Sequence, residues 1–306
     1  MILKAQFSIE LSKAFMSRNN QNQVNFFREA TPYIHMHRGK TFVIAISGDL
    51  LLNADIRELF SDIALLSSLG IRIVLVHGAR PQINAQLSEK QHNSVIHNDM
   101  RVTDHLTLEL SKAAIGAIRL EIENHLNTAL CHPPIVNDSL GIISGNYITA
   151  KPIGILDGVD YQHSGKVRKI HIDLLTQVLN SNNIALISPI GYSPTGQIYN
   201  LHYEEVASFT ASELKADKLI FIQEKVTPDL PKQISLREIS RFTNHSNTRL
   251  FAEVSHAIQN GVERAHLISM DKKGELLLEL FTRDGAGIMI ENGIYDEPRI
   301  ADVDDI

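Results

Sequence analysis

An acidic residue inside an apolar segment is the first feature of the sequence that could do chemistry. Glu279 stands in the run Leu-Leu-Leu-Glu-Leu-Phe at residues 276–281. A buried carboxylate is unfavourable unless its charge is paired or hydrogen-bonded. Two interpretations stay open. Glu279 is either a carboxylate whose charge is balanced only when a cationic ligand binds, or a glutamate on the solvated face of a helix whose leucines are buried.

Two arginines offer the opposite charge. Arg80 follows the turn His77-Gly78-Ala79, and Arg101 opens the segment Arg-Val-Thr-Asp. A guanidinium can bind a carboxylate through two parallel N–H groups, so both arginines are candidates for contacts with an acidic ligand. A structural salt bridge is an equally good interpretation of Arg101.

The histidines and the single cysteine predict neither a metal site nor a nucleophile. His35 and His37 flank Met36, and residues at i and i+2 of a helix point to different faces. No cysteine or carboxylate joins this pair at the spacing of metal ligands. Cys131 has no activating neighbour that the sequence identifies.

The composition excludes several classes of partner. The 306 residues are 43% hydrophobic and 21% charged, with a net charge of -6 and no basic block. These values are typical of a globular protein that does not bind nucleic acid. We expect no membrane partner, because no apolar run has the length of a membrane span and the first residues lack a signal-peptide pattern. A single cysteine favours a reducing, cytoplasmic compartment.

Short apolar runs alternate with amphipathic segments along the chain. Thr41–Ile46 predicts a buried strand, residues 54–70 a helix, and residues 71–78 a second strand. This order is a strand–helix–strand unit, and the whole pattern predicts an α/β fold with one open, mostly parallel sheet sandwiched by helices. The further predictions are helices at 81–90, 107–126, 173–181, 204–217 and 249–261, strands at 183–191, 218–224 and 262–270, and hairpins over the sheet between 141 and 172.

An N-terminal helix precedes the sheet. Residues 24–37 carry apolar side chains at helical spacing, and Pro32 predicts a kink or break within them. The apolar stripe has no partner in its own segment, so the helix either packs on its own domain or joins a second copy of the chain.

Four loops are the predicted place for a ligand, because open parallel sheets bind ligands beyond the carboxyl ends of their strands. They are residues 47–49, 77–81, 189–200 and 223–225.

A series of segments in this order resembles the family of bacterial N-acetylglutamate synthases. The segments are TFVIAISG, IRIVLVHGARPQI, MRVTD, DGVDYQHSGKVRKI, EEVASFTASELKADKLIFI, GVERAHLI and LLLELFTRDGAGIMI. The resemblance begins near Asn25 and implies the amino-acid kinase fold. Members of this family carry a kinase-like domain followed by a GNAT acetyltransferase domain.

The resemblance implies a division of the chain. Residues 1–23 would be an N-terminal extension, residues 24–292 the regulatory domain, and residues 293–306 a linker with the start of the GNAT domain. The closing EPRIADVDDI is similar to the first strand of that domain, which predicts a sequence that continues. The whole enzyme would use acetyl-CoA as co-substrate to acetylate glutamate in arginine biosynthesis. This chain alone would hold no cofactor and no catalytic residue.

The kinase relatives differ from this sequence where phosphoryl transfer takes place. Their catalytic lysine corresponds to Ala45, and bulkier residues replace glycines beside Gly48 and Gly78. Because phosphoryl transfer relies on positioning and charge neutralisation, we expect no kinase activity. The loops at Gly48 and Gly78 are then plain turns rather than a nucleotide site. The residues that match this degenerate kinase site are Ala45, Gly48, Gly78, Arg80, Arg101, Asn200 and Glu204.

The resemblance also implies L-arginine as effector. Its guanidinium needs a carboxylate, its carboxylate needs a cation, and backbone carbonyls would accept the remaining N–H groups. Ile288 departs from the threonine that relatives often have. The residues that match the arginine site are Tyr33, Lys218, His266, Glu279, Gly285 and Gly287.

Arginine-sensitive relatives interlace their N-terminal helices into hexamers, so the resemblance implies a homo-oligomer. Two alternatives to an arginine-sensing domain stay open: an active amino-acid kinase, which Ala45 disfavours, and a ligand-free oligomerisation scaffold, which Glu279 with Lys218 disfavours.

Overall fold

The computed structural model describes residues 24–53, 56–131, 140–225, 230–242, 247–271 and 273–293. The expected N-terminal extension and the expected start of a GNAT domain, apart from residue 293, lie outside these residues.

The helices and strands alternate along most of the described chain. The helices are α1 (residues 24–37), α2 (Ile56–Ser68), α3 (Arg80–Glu89), α4 (His105–Cys131), α5 (Ile172–Asn180), α6 (Tyr203–Leu214), α7 (Thr248–Gln259) and α8 (Glu275–Phe281). The strands are β1 (Thr41–Ile46), β2 (Arg72–His77), β3 (Ile96–His97), β4 (Met100–Arg101), β5 (Ile142–Ser144), β6 (Ile148–Pro152), β7 (Ile155–Leu156), β8 (Val159–Asp160), β9 (Gly165–Ile170), β10 (Ile184–Ile187), β11 (Ile190–Tyr192), β12 (Ile198–Asn200), β13 (Lys218–Gln223), β14 (Gln233–Ser235), β15 (Arg264–Ser269) and β16 (Ile288–Glu291).

The main sheet has eight strands in the order β14-β16-β15-β13-β1-β2-β10-β5. All neighbouring pairs run parallel except β15 and β16, which are antiparallel. Parallel sheets are covered on both faces, so their strands are apolar along their whole length. The predicted open, mostly parallel sheet with helices is confirmed.

Each face of the sheet carries its own apolar core. One face packs against α5, α6 and α7 through residues such as Val43 and Phe221. The other face packs against α1, α2, α4 and α8 through residues such as Phe42 and Ile220. Neighbours in a strand point to opposite faces, which is why Phe42 and Val43 belong to different cores.

A second, four-stranded sheet in the order β12-β11-β6-β9 corrects two strand predictions. The segment 183–191 is two strands, because β10 lies in the main sheet while β11 lies in the second sheet. A Cβ on Gly191 would come within 2.6 Å of the Cβ of Ala150, so glycine allows the close approach of β11 to β6. Between residues 141 and 172, β5 is an edge strand of the main sheet rather than part of a hairpin.

Of the kink or break predicted at Pro32, the break is wrong. The helix continues through Pro32 to residue 37. A proline removes the N–H that would bind the carbonyl four residues earlier, here that of Arg28. Both Arg28 and Pro32 are exposed, so that carbonyl can bind water instead. Among the residues described here, no helix has the length and apolar character of a membrane span.

Candidate functional site

A cavity of about 430 Å³ lies at the carboxyl ends of β1, β2, β10 and β13. We call it the cleft. All four loops that the sequence singled out contribute to its walls, and so do all the predicted kinase-site residues except Ala45. The residues brought together are Gly48, Gly78, Arg80, Arg101, Asn200 and Glu204.

Ala45 lies outside the walls of the cleft. It is fully buried in the core beneath α6 and is paired across the sheet with Val76 and Phe221. The position that the sequence resemblance matched to a catalytic lysine is therefore an apolar packing position in this chain.

Gly48 and Gly78 pack against each other. A Cβ on Gly78 would lie 2.7 Å from the backbone nitrogen of Gly48, and a Cβ on Gly48 would lie 2.7 Å from Cδ of Pro81. The carbonyl of Gly48 accepts a hydrogen bond of 2.8 Å from Nε2 of Gln82. The close approach of the two turns is a sufficient reason for glycine at both positions.

The arginines of the cleft have partners within the protein. Arg101 is buried and donates to Oγ of Ser94 and Oδ1 of Asn84, which are neutral groups rather than the carboxylate of a salt bridge. Arg80 lies 3.1 Å from the carboxylate of Asp99. The same carboxylate is 3.8 Å from Nε of Arg249, which the sequence gave no reason to place here. Burial, followed by the charge of Arg80, lowers the pKa of Arg101.

In the segment that ends β12 and begins α6, burial favours the neutral forms of the ionisable side chains. Burial raises the pKa of Glu204 to about 7, against the opposing effect of Arg249 and Arg80. Burial and then the charge of Arg249 lower the pKa of His202 to about 3, so this imidazole is neutral. Asn200 donates to Oγ1 of Thr103 at 3.3 Å. With this pKa, Glu204 is less fully ionised near neutral pH than an ordinary glutamate.

A second group of polar residues lies on the sheet face that α1 and α8 cover. Lys218 begins β13, His266 lies in β15, and Glu279 lies in α8. The register pairs Ile220 with His266, so Lys218 and His266, two residues apart in register, share a face. We call Lys218, His266 and Glu279 the buried triad, since their exposed fractions are between 3% and 9%.

The buried triad is a chain of hydrogen bonds. Nζ of Lys218 lies 3.1 Å from Nε2 of His266, and Nδ1 of His266 lies 2.6 Å from Oε1 of Glu279. An ammonium only donates and a carboxylate only accepts. The bonds therefore assign a neutral imidazole that accepts at Nε2 and donates from Nδ1.

Burial opposes charge at all three members of the triad. It lowers the pKa of Lys218 to about 8, reinforced by Arg264 and opposed by Glu279. It lowers the pKa of His266, which keeps the imidazole neutral. Burial alone would raise the pKa of Glu279. The hydrogen bond from His266 and those from the backbone outweigh burial and bring the pKa of Glu279 down to about 2.

The loop after α8 completes the surroundings of Glu279. Oε2 accepts the backbone N–H of Ala286 at 2.8 Å and that of Gly287 at 2.6 Å. Gly285 has a φ of +59°, and a Cβ there would lie 2.5 Å from Oε2. The glycines were expected to turn carbonyls toward a ligand. Instead, they let the N–H groups of the loop reach the carboxylate.

Both interpretations of Glu279 from the sequence need correction. Its side chain is only 5% exposed, so it does not lie on a solvated helix face. Its charge is already compensated by three hydrogen bonds before any ligand binds. The sequence could not reveal these donors, because their contacts depend on how α8 packs against β15 and on the turn that the loop at 285–287 makes.

Helix α1 closes this region from above. Tyr33 is half-buried and packs against the apolar core on this face. His37 is 3% exposed and lies 2.9 Å from the carbonyl of Leu280. His35, two residues earlier, is exposed, which agrees with the expected orientation of the pair. Ile288 is half-buried at the start of β16.

Comparison with a protein family places this chain among known proteins. Residues 40–269 match the model of the Amino acid kinase family. The chain is 40% identical over 296 residues to an amino-acid acetyltransferase of Ralstonia nicotianae, an alignment that covers 94% of this chain and 66% of the relative. It is 41% identical over 297 residues to an amino-acid acetyltransferase of Mannheimia succiniciproducens, with 92% and 67% covered. The chain thus spans about two thirds of the length of these relatives.

Solved structures agree with this placement. N-acetylglutamate synthase from Neisseria gonorrhoeae, complexed with coenzyme A and L-arginine, matches with a TM-score of 0.80 and 33% identity over 88% of this chain and 65% of that one. The same enzyme complexed with coenzyme A and N-acetyl-glutamate matches with a TM-score of 0.82 and 33% identity over 89% and 64%. Giardia carbamate kinase matches with a TM-score of 0.61 at 16% identity over 83% and 99%, which shows a shared fold.

The low pKa of Glu279 predicts a pH-dependent contribution to stability. Its pKa falls from an ordinary 4.5 to about 2 on folding, so the stabilisation is complete above about pH 4.5 and is lost as pH falls toward 2. The shift corresponds to about 3 kcal/mol. In urea denaturation, we expect the difference in unfolding free energy between wild type and Glu279→Gln to stay constant from pH 5.5 to about pH 4.5 and to narrow from there to pH 3. The exposed control Glu213→Gln should show no such trend, and a constant difference for Glu279→Gln would contradict the assignment.

Proposed function

This chain belongs to the amino acid kinase family, and we propose that it is the arginine-sensing regulatory domain of an N-acetylglutamate synthase. The buried triad is the observation that supports this proposal. It brings an ammonium, an imidazole and a carboxylate together beneath α1, and none of the three residues lines the cleft. Support also comes from the related N-acetylglutamate synthase complexed with L-arginine.

The whole protein would transfer an acetyl group from acetyl-CoA to the amine of glutamate in arginine biosynthesis. The relatives are named amino-acid acetyltransferases, and one related structure contains coenzyme A. We propose that the chain is divided into an N-terminal extension at residues 1–23, a regulatory domain at residues 24–292, and a segment at residues 293–306 in which the GNAT domain begins. We propose a cytoplasmic location for the enzyme.

Arginine has complementary groups for both ends of the triad. Lys218 would pair with the ligand's carboxylate, and Glu279 with its guanidinium. A carboxylate offers about four acceptor positions. Three of those of Glu279 are used by His266, Ala286 and Gly287. A bidentate guanidinium therefore has to displace at least one loop N–H from Oε2, which couples arginine binding to the conformation of the loop at 285–287. Tyr33 would cover the ligand.

The kinase alternative is disfavoured by the absence of a lysine at position 45. Ala45 provides no cation, and the arginines that line the cleft are bound to Asp99, Ser94 and Asn84. A phosphoryl group in transfer needs fixed positive charge around it. We infer that the cleft performs no phosphoryl transfer.

Arginine binding is tested by isothermal titration with L-arginine. We expect wild type to bind, and Glu279→Ala and Lys218→Met each to bind at least about tenfold more weakly, because each loses a charge-assisted contact. Glu213→Ala, on the exposed face of α6, is the control and should bind like wild type. Arginine should also raise the melting temperature of wild type, since it binds only the folded state. Equal isotherms for wild type and Glu279→Ala would refute the site, and no binding by wild type would favour the scaffold alternative.

Kinase activity is tested by ADP release from ATP and magnesium with N-acetylglutamate, beside a genuine N-acetylglutamate kinase. We expect no turnover by wild type. Ala45→Lys should remain inactive and lose about 3–5 kcal/mol of stability, because it places an ammonium in the core. Ala117→Lys, on the exposed face of α4, should be nearly neutral. Turnover by wild type at an ordinary kinase rate would restore the kinase alternative.

The chain would also assemble through α1. One side of α1, with Ala30 and Ile34, packs on its own domain, as one sequence alternative expected. Four other apolar side chains of α1 are exposed, three of them in its first turn. Exposed apolar side chains grouped in this way mark a contact that a second copy could cover. We propose a homo-oligomer, a hexamer by analogy with arginine-sensitive relatives. The exposed side chains are Val24, Phe26, Phe27 and Met36.

Light scattering coupled to size-exclusion chromatography tests the assembly. We expect wild type to elute with a multiple of the chain mass, and the double variant Phe26→Glu, Phe27→Glu to elute at a lower mass, because it places charge in the apolar contact. Leu174→Glu, which changes an exposed leucine of α5, should leave the mass unchanged. A monomeric wild type at micromolar concentration would contradict the proposal.

A further inference from the structure

Helix α8 depends on a neighbour to complete its last turn. It has only seven residues, Glu275–Phe281, and the last carbonyls of a helix have no partner within it. The carbonyl of Leu280, next to Glu279, receives a hydrogen bond of 2.9 Å from Nε2 of His37. The donor comes from α1, 243 residues away in sequence.

His37 is held for this bond by apolar surroundings. Its ring lies 5.3 Å from that of Phe42 in an edge-on contact and 5.9 Å from that of Phe281, between ring centroids. The side chain is 3% exposed. Burial lowers its pKa to about 4, so the imidazole is neutral, and a carbonyl acceptor requires the proton on Nε2.

The position of α8 sets the geometry of the buried triad. Glu279 reaches Nδ1 of His266 at 2.6 Å and holds Ala286 and Gly287 on its other oxygen. Because His266 lies in the sheet, a shift of α8 would change the distance between Glu279 and His266. The hydrogen bond that caps α8 is therefore in a position to influence how Glu279 is placed.

We propose that His37 is a positioning residue of the buried triad. Through its hydrogen bond to α8, His37 links the packing of α1 on the domain to ligand binding at the triad. The proposal rests on the function proposed above and deepens it, because it names the contact that connects the ligand site to α1, the helix that carries the exposed apolar side chains. If arginine binding stabilises the packing of α1 on the domain, that packing strengthens arginine binding by the same factor, because linkage is reciprocal.

The alternative role for His37 is simple core packing, and two substitutions separate the roles. His37→Leu keeps an apolar side chain of similar size and removes the donor. His37→Gln keeps an N–H donor at a similar distance from the backbone. If packing is the only role, His37→Leu should retain more arginine affinity than His37→Gln. If the donor matters, His37→Gln should retain more. His35→Leu changes an exposed histidine of the same helix and serves as the control.

The test combines titration of the full 306-residue chain with hydrogen exchange, with and without saturating L-arginine. In wild type and His35→Leu, arginine should slow amide exchange in residues 275–281 and in residues 24–37. His37→Leu should bind about tenfold more weakly, the loss of one buried hydrogen bond. At saturation it should protect residues 275–281 but no longer residues 24–37. His37→Gln should restore affinity to within about threefold and recover the protection of α1.

The outcomes distinguish the two claims. Arginine-induced protection of residues 24–37 that is as strong in His37→Leu as in wild type would overturn the role of His37 and leave the arginine site intact. A His37→Gln variant that behaves like His37→Leu would also overturn it, because the donor would then be irrelevant. No heat of binding in wild type would overturn the proposed function itself.

Discussion

The hydrogen bond between Nδ1 of His266 and Oε1 of Glu279 is the interaction on which the rest of the structure around the triad depends. A carboxylate with 5% exposure is tolerable only when its charge is compensated, and at 2.6 Å this bond provides the largest compensation. It joins the short α8 to the sheet. Glu279 also binds the backbone of the glycine loop, and the carbonyl of Leu280 in α8 accepts the hydrogen bond from α1. Lys218 completes the chain of donors and leaves a buried cation that can meet an anionic ligand group.

The amino-acid kinase fold keeps its cleft in this chain, and we propose that this cleft has lost phosphoryl transfer. The four loops still surround a cavity at the carboxyl ends of the strands. However, Ala45 in the core provides no cation, and the arginines that line the cleft are bound to neighbouring side chains. A second group of charged residues lies on one face of the sheet, between β13, β15 and α8. The same scaffold therefore offers polar chemistry at two places.

The sequence predicts what local chemistry determines. Continuous apolar runs identify β1, β2 and β13, because strands buried on both faces need them. The short strands β5, β14 and β16 have too few residues to carry a pattern, so they were missed or misassigned. The resemblance named the members of the triad but not its bonds. The partners of Glu279 lie within 13 residues of it, but these bonds depend on the packing of α8 against β15 and on the turn of the glycine loop. The bond from His37 to Leu280 joins residues 243 positions apart.

A crystal structure of the chain with L-arginine tests the central claim most directly. The account predicts a guanidinium against Glu279, with the N–H of Ala286 or Gly287 displaced from Oε2, and the ligand's carboxylate within hydrogen-bond distance of Nζ of Lys218. Arginine bound in the cleft, with all three hydrogen bonds of Glu279 unchanged, would contradict it.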